Sequence, residues 1–174
     1  METVDREQLL RLLSASRKKL LESAEGLTDE QARMRPAEDR WSILECVEHV
    51  GLVEDGMFAT VTTKLAPPET PIDRAREQKI ISSVTDRSQK FGAPEFVKPA
   101  GKFTTLAEAI EHFERSRART VDYVEKCDQD LRALVGPHPA LGKATGQELM
   151  IVLALHPARH ALQILEAREA LGLD

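Results

Sequence analysis

Apolar side chains recur along the chain with the spacing of amphipathic helices, and they do so in four long segments. No segment shows the strict alternation of a convincing strand, so the predicted fold class is all-α. Glycine at position 26 is the expected end signal of the first helix. The helices are predicted over residues 3–25, from Ser42 to the prolines Pro67 and Pro68, from Thr105 to about Val124, and over residues 145–171.

A capping box marks the start of each long helix after the first, and also the start of one short helical turn that ends before Pro36. In this signature a Ser or Thr side chain and a Glu or Gln three residues later satisfy each other's backbone N–H groups. The pairs are Thr28 with Gln31, Ser42 with Glu45, Thr105 with Glu108, and Thr145 with Glu148.

Three prolines, Pro67, Pro68 and Pro71, open a long connection between the second and third helices. A structureless loop of roughly thirty-five residues is unusual in a compact domain, so we interpret it as a crossover with a short helix over residues 74–82. The segment VGPHPALG, residues 135–142, is interpreted as a second linker. Together these features predict a single domain, residues 1–174, folded as a four-helix bundle with a long crossover between helices 2 and 3.

Two histidines, His156 and His160, lie in the apolar stripe of the last helix. At about 100° per residue both fall within about 20° of the line through Leu149, at the centre of the core-facing side. One interpretation is a hydrogen-bonded pair of core histidines. The other is a shared metal ion, because HxxxH presents two imidazole nitrogens to one point on a helix face.

A metal ion held by these two histidines needs a ligand from another helix. His49 is the preferred third ligand, because it lies on the flank of the second helix that faces a neighbour in a bundle. His138, in the Pro/Gly linker, is the reserve. His112 is predicted to face solvent, since it lies far around the helix from Ile110.

Three further residues near these positions are unusual. Glu54 lies in the apolar stripe of the second helix, and it is predicted either to reach an arginine or to act as a second-shell acceptor or fourth ligand. Gln163, one turn after His160, is predicted either to be structural or to orient a ligand imidazole. Pro157 removes a backbone N–H between the two histidines, which predicts a kink that either opens a cleft or is merely tolerated.

Composition and charge narrow the classes of partner. Acidic residues outnumber basic ones by 29 to 24, a net charge of −5, which argues against a nucleic-acid partner. No apolar run approaches the ~20 residues of a membrane span, and the charged N-terminus is unlike a secretory signal. Cys46 and Cys127 lack CxxC spacing, so reduced thiols and a cytoplasmic location are expected. The run LMIVLAL, residues 149–155, is apolar all round and is either buried in the monomer or shared in a homodimer.

Three stretches carry a family resemblance: WSILECVEHVGLVED (41–55), APEFVKPAGKFTT (93–105) and LHPARHALQI (155–164). In order and spacing they resemble the DinB-like superfamily of metal-binding four-helix bundles. The resemblance implies that His49, His156 and His160 bind a metal ion. It also implies a link to thiol-dependent enzymes, since family members include S-transferases that use low-molecular-weight thiols and thiol-dependent isomerases.

Three histidines on a divalent zinc, nickel or iron ion leave coordination positions open, as catalytic sites do. Such a centre acidifies a bound thiol or water. We therefore expect metal-assisted nucleophilic attack on a small-molecule substrate, with transfer of a low-molecular-weight thiol preferred and hydrolysis second. The alternative is a non-catalytic dimeric bundle, an interaction or stress-related module whose histidines are structural.

Overall fold

The computed structural model describes residues 4–70, 76–88 and 91–173 of the chain. In these residues it contains six α-helices, one short 3-10 turn at Glu95–Val97 and two short strands. The elements are α1 (Arg6–Ala24), α2 (Asp29–Arg33), α3 (Ile43–Thr63), α4 (Arg76–Val84), α5 (Leu106–Lys126), β1 (Val135–His138), β2 (Gly142–Thr145) and α6 (Gly146–Leu171).

The helices begin where the capping signatures predict. Both hydrogen bonds of the capping box form at each of four N-caps: Thr28, Ser42, Thr105 and Thr145. Helix α1 begins one residue after Asp5, whose side chain accepts a hydrogen bond from the Gln8 N–H. The predicted start of that helix at Thr3 lies outside the described residues.

The four long helices α1, α3, α5 and α6 form a bundle, which confirms the predicted fold class. Helix α6 packs against α1 and α3, and α5 packs against α3 and α1. Helix α4 is the predicted short helix of the crossover, and it packs on α6. Residues 74 and 75 of that prediction, and Pro71, lie outside the described residues. No helix in the described part of the chain is long and apolar enough to cross a membrane.

The prediction that the chain has no strand was wrong, because the segment taken as a linker forms a hairpin. Strand β1 pairs antiparallel with β2, and Ala66 forms an additional bridge with Val135. Gly136 packs closely on the end of α3: a Cβ there would be 3.3 Å from the side chain of Thr60 and 2.9 Å from that of Leu65, just after the helix. Proline and glycine in a sequence usually indicate a loop, but a short edge strand accepts both residues. Strand β1 is stabilised by its contact with the end of α3.

The buried apolar side chains form two clusters along the bundle. One includes Leu13 and the run Leu149–Leu155, and the other includes Leu20, Val50, Phe113 and Ile164. All of Leu149–Leu155 is buried within one chain. This run therefore gives no reason to invoke a second subunit, and the homodimer stays a prediction.

Buried polar residues lie between the two clusters. Ser16 of α1, Glu54 of α3 and Arg117 of α5 are each at most 2% exposed. We call these three residues the polar layer. Along α6 the interval between the clusters, residues 156–163, contains both histidines and Pro157.

Candidate metal centre

Three histidines from two helices converge at one point in the bundle. His49 of α3 meets His156 and His160 of α6, and one nitrogen from each ring lies within 4.8 Å of the other two. The Nε2 atoms of His156 and His160 are 3.1 Å apart. His49 and His160 are buried, whereas His156 is half-buried. The structure thus brings together the three histidines selected from the sequence, and His156 is the least buried of them.

The ring of His49 is held by the main chain of the crossover. Its Nδ1 donates a hydrogen bond of 2.7 Å to the carbonyl oxygen of Val97. This fixes the proton on Nδ1 and leaves Nε2 as the acceptor, the arrangement that outer partners impose on metal-ligating histidines. The indole of Trp41 lies against the same ring, with 4.8 Å between centroids, and stacks 6.5 Å from the ring of His160.

Glu48, the residue before His49, anchors the same crossover. Its buried carboxylate accepts a hydrogen bond of 2.8 Å from the Ala100 N–H and one of 3.2 Å from the Lys102 N–H. Two consecutive residues of α3 therefore hold the segment that contains Val97. The sequence pattern identified neither Glu48 nor Val97, since a charged residue in a helix and a main-chain carbonyl carry no distinctive signal.

The surroundings keep the three imidazoles neutral. Burial lowers the pKa of His49, and it lowers the pKa values of His156 and His160 well below their ordinary value. The nearby His49 and the positive charge of Arg159 lower both of the latter further. A neutral ring offers a lone pair to a metal ion, so the group is in the protonation state that a ligand set requires.

The geometry fits a divalent cation. Two imidazole nitrogens each about 2.0–2.1 Å from one ion lie roughly 3.0–3.4 Å apart, depending on the coordination angle. The observed 3.1 Å between the Nε2 atoms of His156 and His160 falls in this range. Within the described parts of the chain no Asp, Glu or Cys side chain joins the group. Three protein ligands leave positions open for other molecules.

Glu54 makes the contact with an arginine that was one of its two predicted alternatives. Its Oε2 accepts a hydrogen bond of 2.8 Å from Nη2 of Arg117, and both side chains are 2% exposed. Glu54 is not a member of the histidine group, and the acceptor for His49 is Val97. The predicted alternative, in which Glu54 orients a ligand imidazole, stays a prediction.

The same arginine explains how α6 accepts its proline. Pro157 is buried, and α6 continues through it from Gly146 to Leu171. In a regular helix the N–H at position 157 would donate to the carbonyl of Leu153. Instead, Nη2 of Arg117 donates to that carbonyl at 3.3 Å. The other terminal nitrogen, Nη1, donates to the Leu13 carbonyl at 3.0 Å, so one guanidinium also ties α1 to this point.

Gln163 lies one turn after His160 and contacts Arg87. Its Oε1 accepts a hydrogen bond of 3.2 Å from Nη1 of Arg87. Nδ1 of His160 is buried without a hydrogen-bond partner in the part of the chain that the structure describes. The predicted role of Gln163 toward His160 stays a prediction.

The remaining two histidines lie outside the group. The prediction that His112 faces solvent was wrong: its side chain is only 15% exposed, and Nε2 lies 2.9 Å from Oδ2 of Asp55. The ring also lies against Phe103, with 5.2 Å between centroids. His138, the reserve ligand, lies in the hairpin, where its Nδ1 accepts from the Ala140 N–H at 3.2 Å.

The fold and the histidine group together define a four-helix-bundle protein with a candidate metal centre. The sequence profile of the DinB superfamily matches residues 12–164, and the chain belongs to this family. The chain is also similar to the uncharacterized protein YuaE of Bacillus subtilis (strain 168). The two are 26% identical over 144 residues, which cover 83% of this chain and 87% of YuaE.

Two solved structures share the fold. YfiT from Bacillus subtilis has a TM-score of 0.63 and 16% identity, over 100% of this chain and 91% of YfiT. It is described as a probable metal-dependent hydrolase with an unusual four-helix bundle topology. The four-helix bundle protein TT2238 has a TM-score of 0.59 and 21% identity, over 93% of this chain and 99% of TT2238.

Proposed function

We propose that this chain is a divalent-metal-dependent enzyme in which His49, His156 and His160 hold the metal ion. We further propose that it activates a low-molecular-weight thiol, which attacks an electrophilic small molecule, as in thiol S-transferases. The observation that carries the proposal is the convergence of three neutral imidazole nitrogens within 4.8 Å at a place where one ring is half-buried. A closed structural site would bury all its ligands and supply a fourth.

A bound divalent cation would supply the acidity that makes a thiol or a water nucleophilic near neutral pH. The residues of the chain prepare the site for it. The Val97 carbonyl holds His49 with Nε2 directed away from the crossover. Trp41 covers His49 and His160 and excludes water from that side. His156 borders the accessible side, by which a reaction partner would enter.

The nucleophile in this proposal comes from outside the chain. The nearest thiol is Cys46, one helical turn before His49, and it is completely buried. Burial raises the pKa of this thiol to about 12, so it stays protonated at neutral pH. Because the thiolate is the reactive form, Cys46 is a poor candidate for the attacking group.

Hydrolysis by a bound water is the second candidate. It is favoured by the structural similarity to YfiT, which is described as a probable metal-dependent hydrolase. Both reactions need the same three histidines and an open coordination position, and they differ only in the nucleophile. The remaining alternative, a non-catalytic interaction or stress-related bundle, predicts histidines that bind no metal.

Metal content is the first test. We expect the purified chain to contain or take up about one equivalent of zinc, nickel or iron by elemental analysis, since imidazole suits all three. His49→Gln, His156→Gln and His160→Gln should each weaken binding strongly. His112→Gln and His138→Gln are matched controls that should retain the metal. Absence of metal after reconstitution, or equal retention in all five variants, would overturn the proposal.

Comparison of nucleophiles is the second test. The reconstituted protein is assayed with cysteine as the thiol and chlorodinitrobenzene as the electrophile, and separately for hydrolysis of phenyl acetate. Thiol-dependent turnover that is lost in His156→Gln supports the transferase. Turnover of the ester without thiol supports the hydrolase. A metal-loaded protein that is inactive in both assays with a broad panel of thiols and electrophiles would contradict both proposed reactions.

A further inference from the structure

His160 differs from His49 in how its outer ring nitrogen is held. Nδ1 of His49 donates to the Val97 carbonyl, whereas Nδ1 of His160 is buried and has no hydrogen-bond partner among the described residues. His160 is only 6% exposed, and a buried polar atom without a partner is unfavourable. Nδ1 of His160 therefore needs a partner, and the tautomer of the ring depends on whether that partner accepts or donates a hydrogen bond.

Gln163 is the side chain placed to be this partner. It lies three residues after His160, a spacing that makes side chains neighbours on a helix, and it is half-buried. Burial is the main cause that lowers the pKa of His160, whereas the side chain of Gln163 raises it, as a hydrogen-bond acceptor does. The two side chains do not yet meet at Nδ1, but hydrogen bonds around an unliganded site are often long and tighten when the ligand binds.

The amide of Gln163 could act on His160 in two opposite ways. The amide oxygen would accept from a proton on Nδ1 and leave the lone pair on Nε2. The amide nitrogen would instead donate to Nδ1, which places the proton on Nε2. Nε2 is the atom that lies 3.1 Å from Nε2 of His156, in the histidine group. The orientation of the amide thus decides whether His160 can bind a metal ion through this nitrogen.

Arg87 fixes which end of the amide is the oxygen. Its Nη1 donates to Oε1 of Gln163 at 3.2 Å, and a guanidinium group can only donate, so the oxygen must lie on this side. Arg87 is itself held by two hydrogen bonds of 2.6 Å, from Nε and Nη2 to the two carboxylate oxygens of Glu166. Such a paired contact fixes the plane of the guanidinium group. Nη1 is therefore directed at Gln163 by a rigid support, and Oε1 keeps a second lone pair for another donor.

We propose that Arg87 is a positioning residue of the metal centre: it orients Gln163 so that Oε1 accepts from Nδ1 of His160, and Nε2 of His160 presents its lone pair. The inference rests on the proposed function and adds two residues to its metal centre. Arg87 and Val97 both belong to the connection between α3 and α5. The same crossover then orients one ligand from α3 and one from α6.

The tautomer of His160 in the metal-free full chain is the direct test. Long-range nitrogen–proton NMR of the imidazoles distinguishes the two tautomers at a pH well above about 6.5, the ordinary pKa of histidine. The spectrum of His160→Gln identifies the signals. We expect the proton on Nδ1 in the unaltered chain, and a shift of population toward Nε2 in Arg87→Ala. A proton on Nε2 in the unaltered chain, or an unchanged tautomer in Arg87→Ala, overturns the inference.

A rescue variant separates orientation of the amide from a general role in stability. Gln163→Glu introduces a carboxylate, which accepts but cannot donate and so needs no arginine to select its orientation. Arg87→Ala/Gln163→Glu should therefore restore the proton on Nδ1 that Arg87→Ala loses. If Arg87 only ties the crossover to α6, the double variant stays as altered as the single one, and the inference is wrong. Arg40→Ala is the matched control, because Arg40 also contacts Glu166, at 3.4 Å, and should leave the tautomer unchanged.

Zinc affinity is the second measurement, made in competition with a chromophoric chelator. We expect Arg87→Ala to bind zinc about tenfold more weakly, the scale of outer-partner effects, and Arg87→Ala/Gln163→Glu to recover most of the loss. Arg40→Ala should bind zinc as the unaltered chain does. Equal zinc affinity of Arg87→Ala and the unaltered chain overturns the inference and leaves the proposed function standing. Failure of the unaltered chain to bind zinc overturns the proposed metal centre instead, and the tautomer of the metal-free chain still decides the role of Arg87.

Discussion

Nη2 of Arg117 lies 3.3 Å from the carbonyl oxygen of Leu153, the acceptor that Pro157 leaves without its helical donor. The same nitrogen lies 2.8 Å from Oε2 of Glu54. A side chain of α5 thus replaces a main-chain donor of α6 and at the same time compensates a buried charge on α3. The proline between the two histidines is accepted because another helix supplies the missing hydrogen bond.

Replacement of Arg117 should therefore be costly. In Arg117→Met, Glu54 is left buried and unpaired, and we expect the free energy of unfolding to fall by about 3–5 kcal/mol. Urea unfolding followed by circular dichroism measures the change. Arg115→Met, an exposed change on the same helix, should stay within about 0.5 kcal/mol. Equal effects of the two substitutions would contradict the role of Arg117.

Pro157 and Arg117 should be energetically coupled. Pro157→Ala restores an N–H that can donate to Leu153, so we expect it to stabilise the chain by more in an Arg117→Met background than in the unaltered one. A double-mutant cycle should give a coupling energy of about 1 kcal/mol, typical of residues that share a partner. Strict additivity in urea unfolding would show that the arginine does not replace the proline's missing donor.

Substitution of Glu48 should weaken metal binding although the three histidine ligands stay unchanged. Glu48→Ala removes the acceptor of the Ala100 and Lys102 N–H groups and so loosens the segment that holds His49. We expect about tenfold weaker zinc binding, the scale of outer-partner effects, in competition with a chromophoric chelator. Faster hydrogen exchange at the two amides should accompany it. Glu111→Ala, an exposed change on α5, should alter neither quantity.

The stability of the metal-free chain should depend on pH through the histidine group. The pKa values of His156 and His160 are lowered in the folded state, so the unfolded chain binds more protons as the pH falls below about 6.5. Stability is then fully present above that pH and is lost below it, by about 1.4 kcal/mol per histidine for each pH unit. Urea unfolding at several pH values should show a shallower dependence in the His156→Gln/His160→Gln variant. Identical pH dependences would contradict this expectation.

Local signals in the sequence were sufficient for the helices. The N-caps Thr28, Ser42, Thr105 and Thr145 were predicted because both partners of a capping box lie within four residues of each other. The meeting of His156 and His160 was predictable for the same reason, since both lie on one face of one helix. The placement of His49 beside them followed from its position on the flank of α3 together with the bundle topology.

Features that depend on distant contacts were missed. His112 was misplaced because the large side chain of Ile110 was taken to mark the core, whereas the buried face of α5 is built partly from Ala109, Ser116 and Thr120. Small and polar residues do not contribute to the apolar pattern from which the buried face of a helix is predicted. The pairing of Glu54 was foreseen only as a contact with some arginine, because its partner lies 63 residues away.

The hydrogen bond from His49 to Val97 has a consequence for how such a site evolves. Since the acceptor is a main-chain carbonyl, position 97 needs only an apolar side chain that fits its buried place and keeps the local backbone path. Related proteins can therefore keep this contact while the identity of the apolar residue that supplies it varies. Position 97 would look like an ordinary core position in an alignment, although the orientation of one of the three imidazoles depends on it.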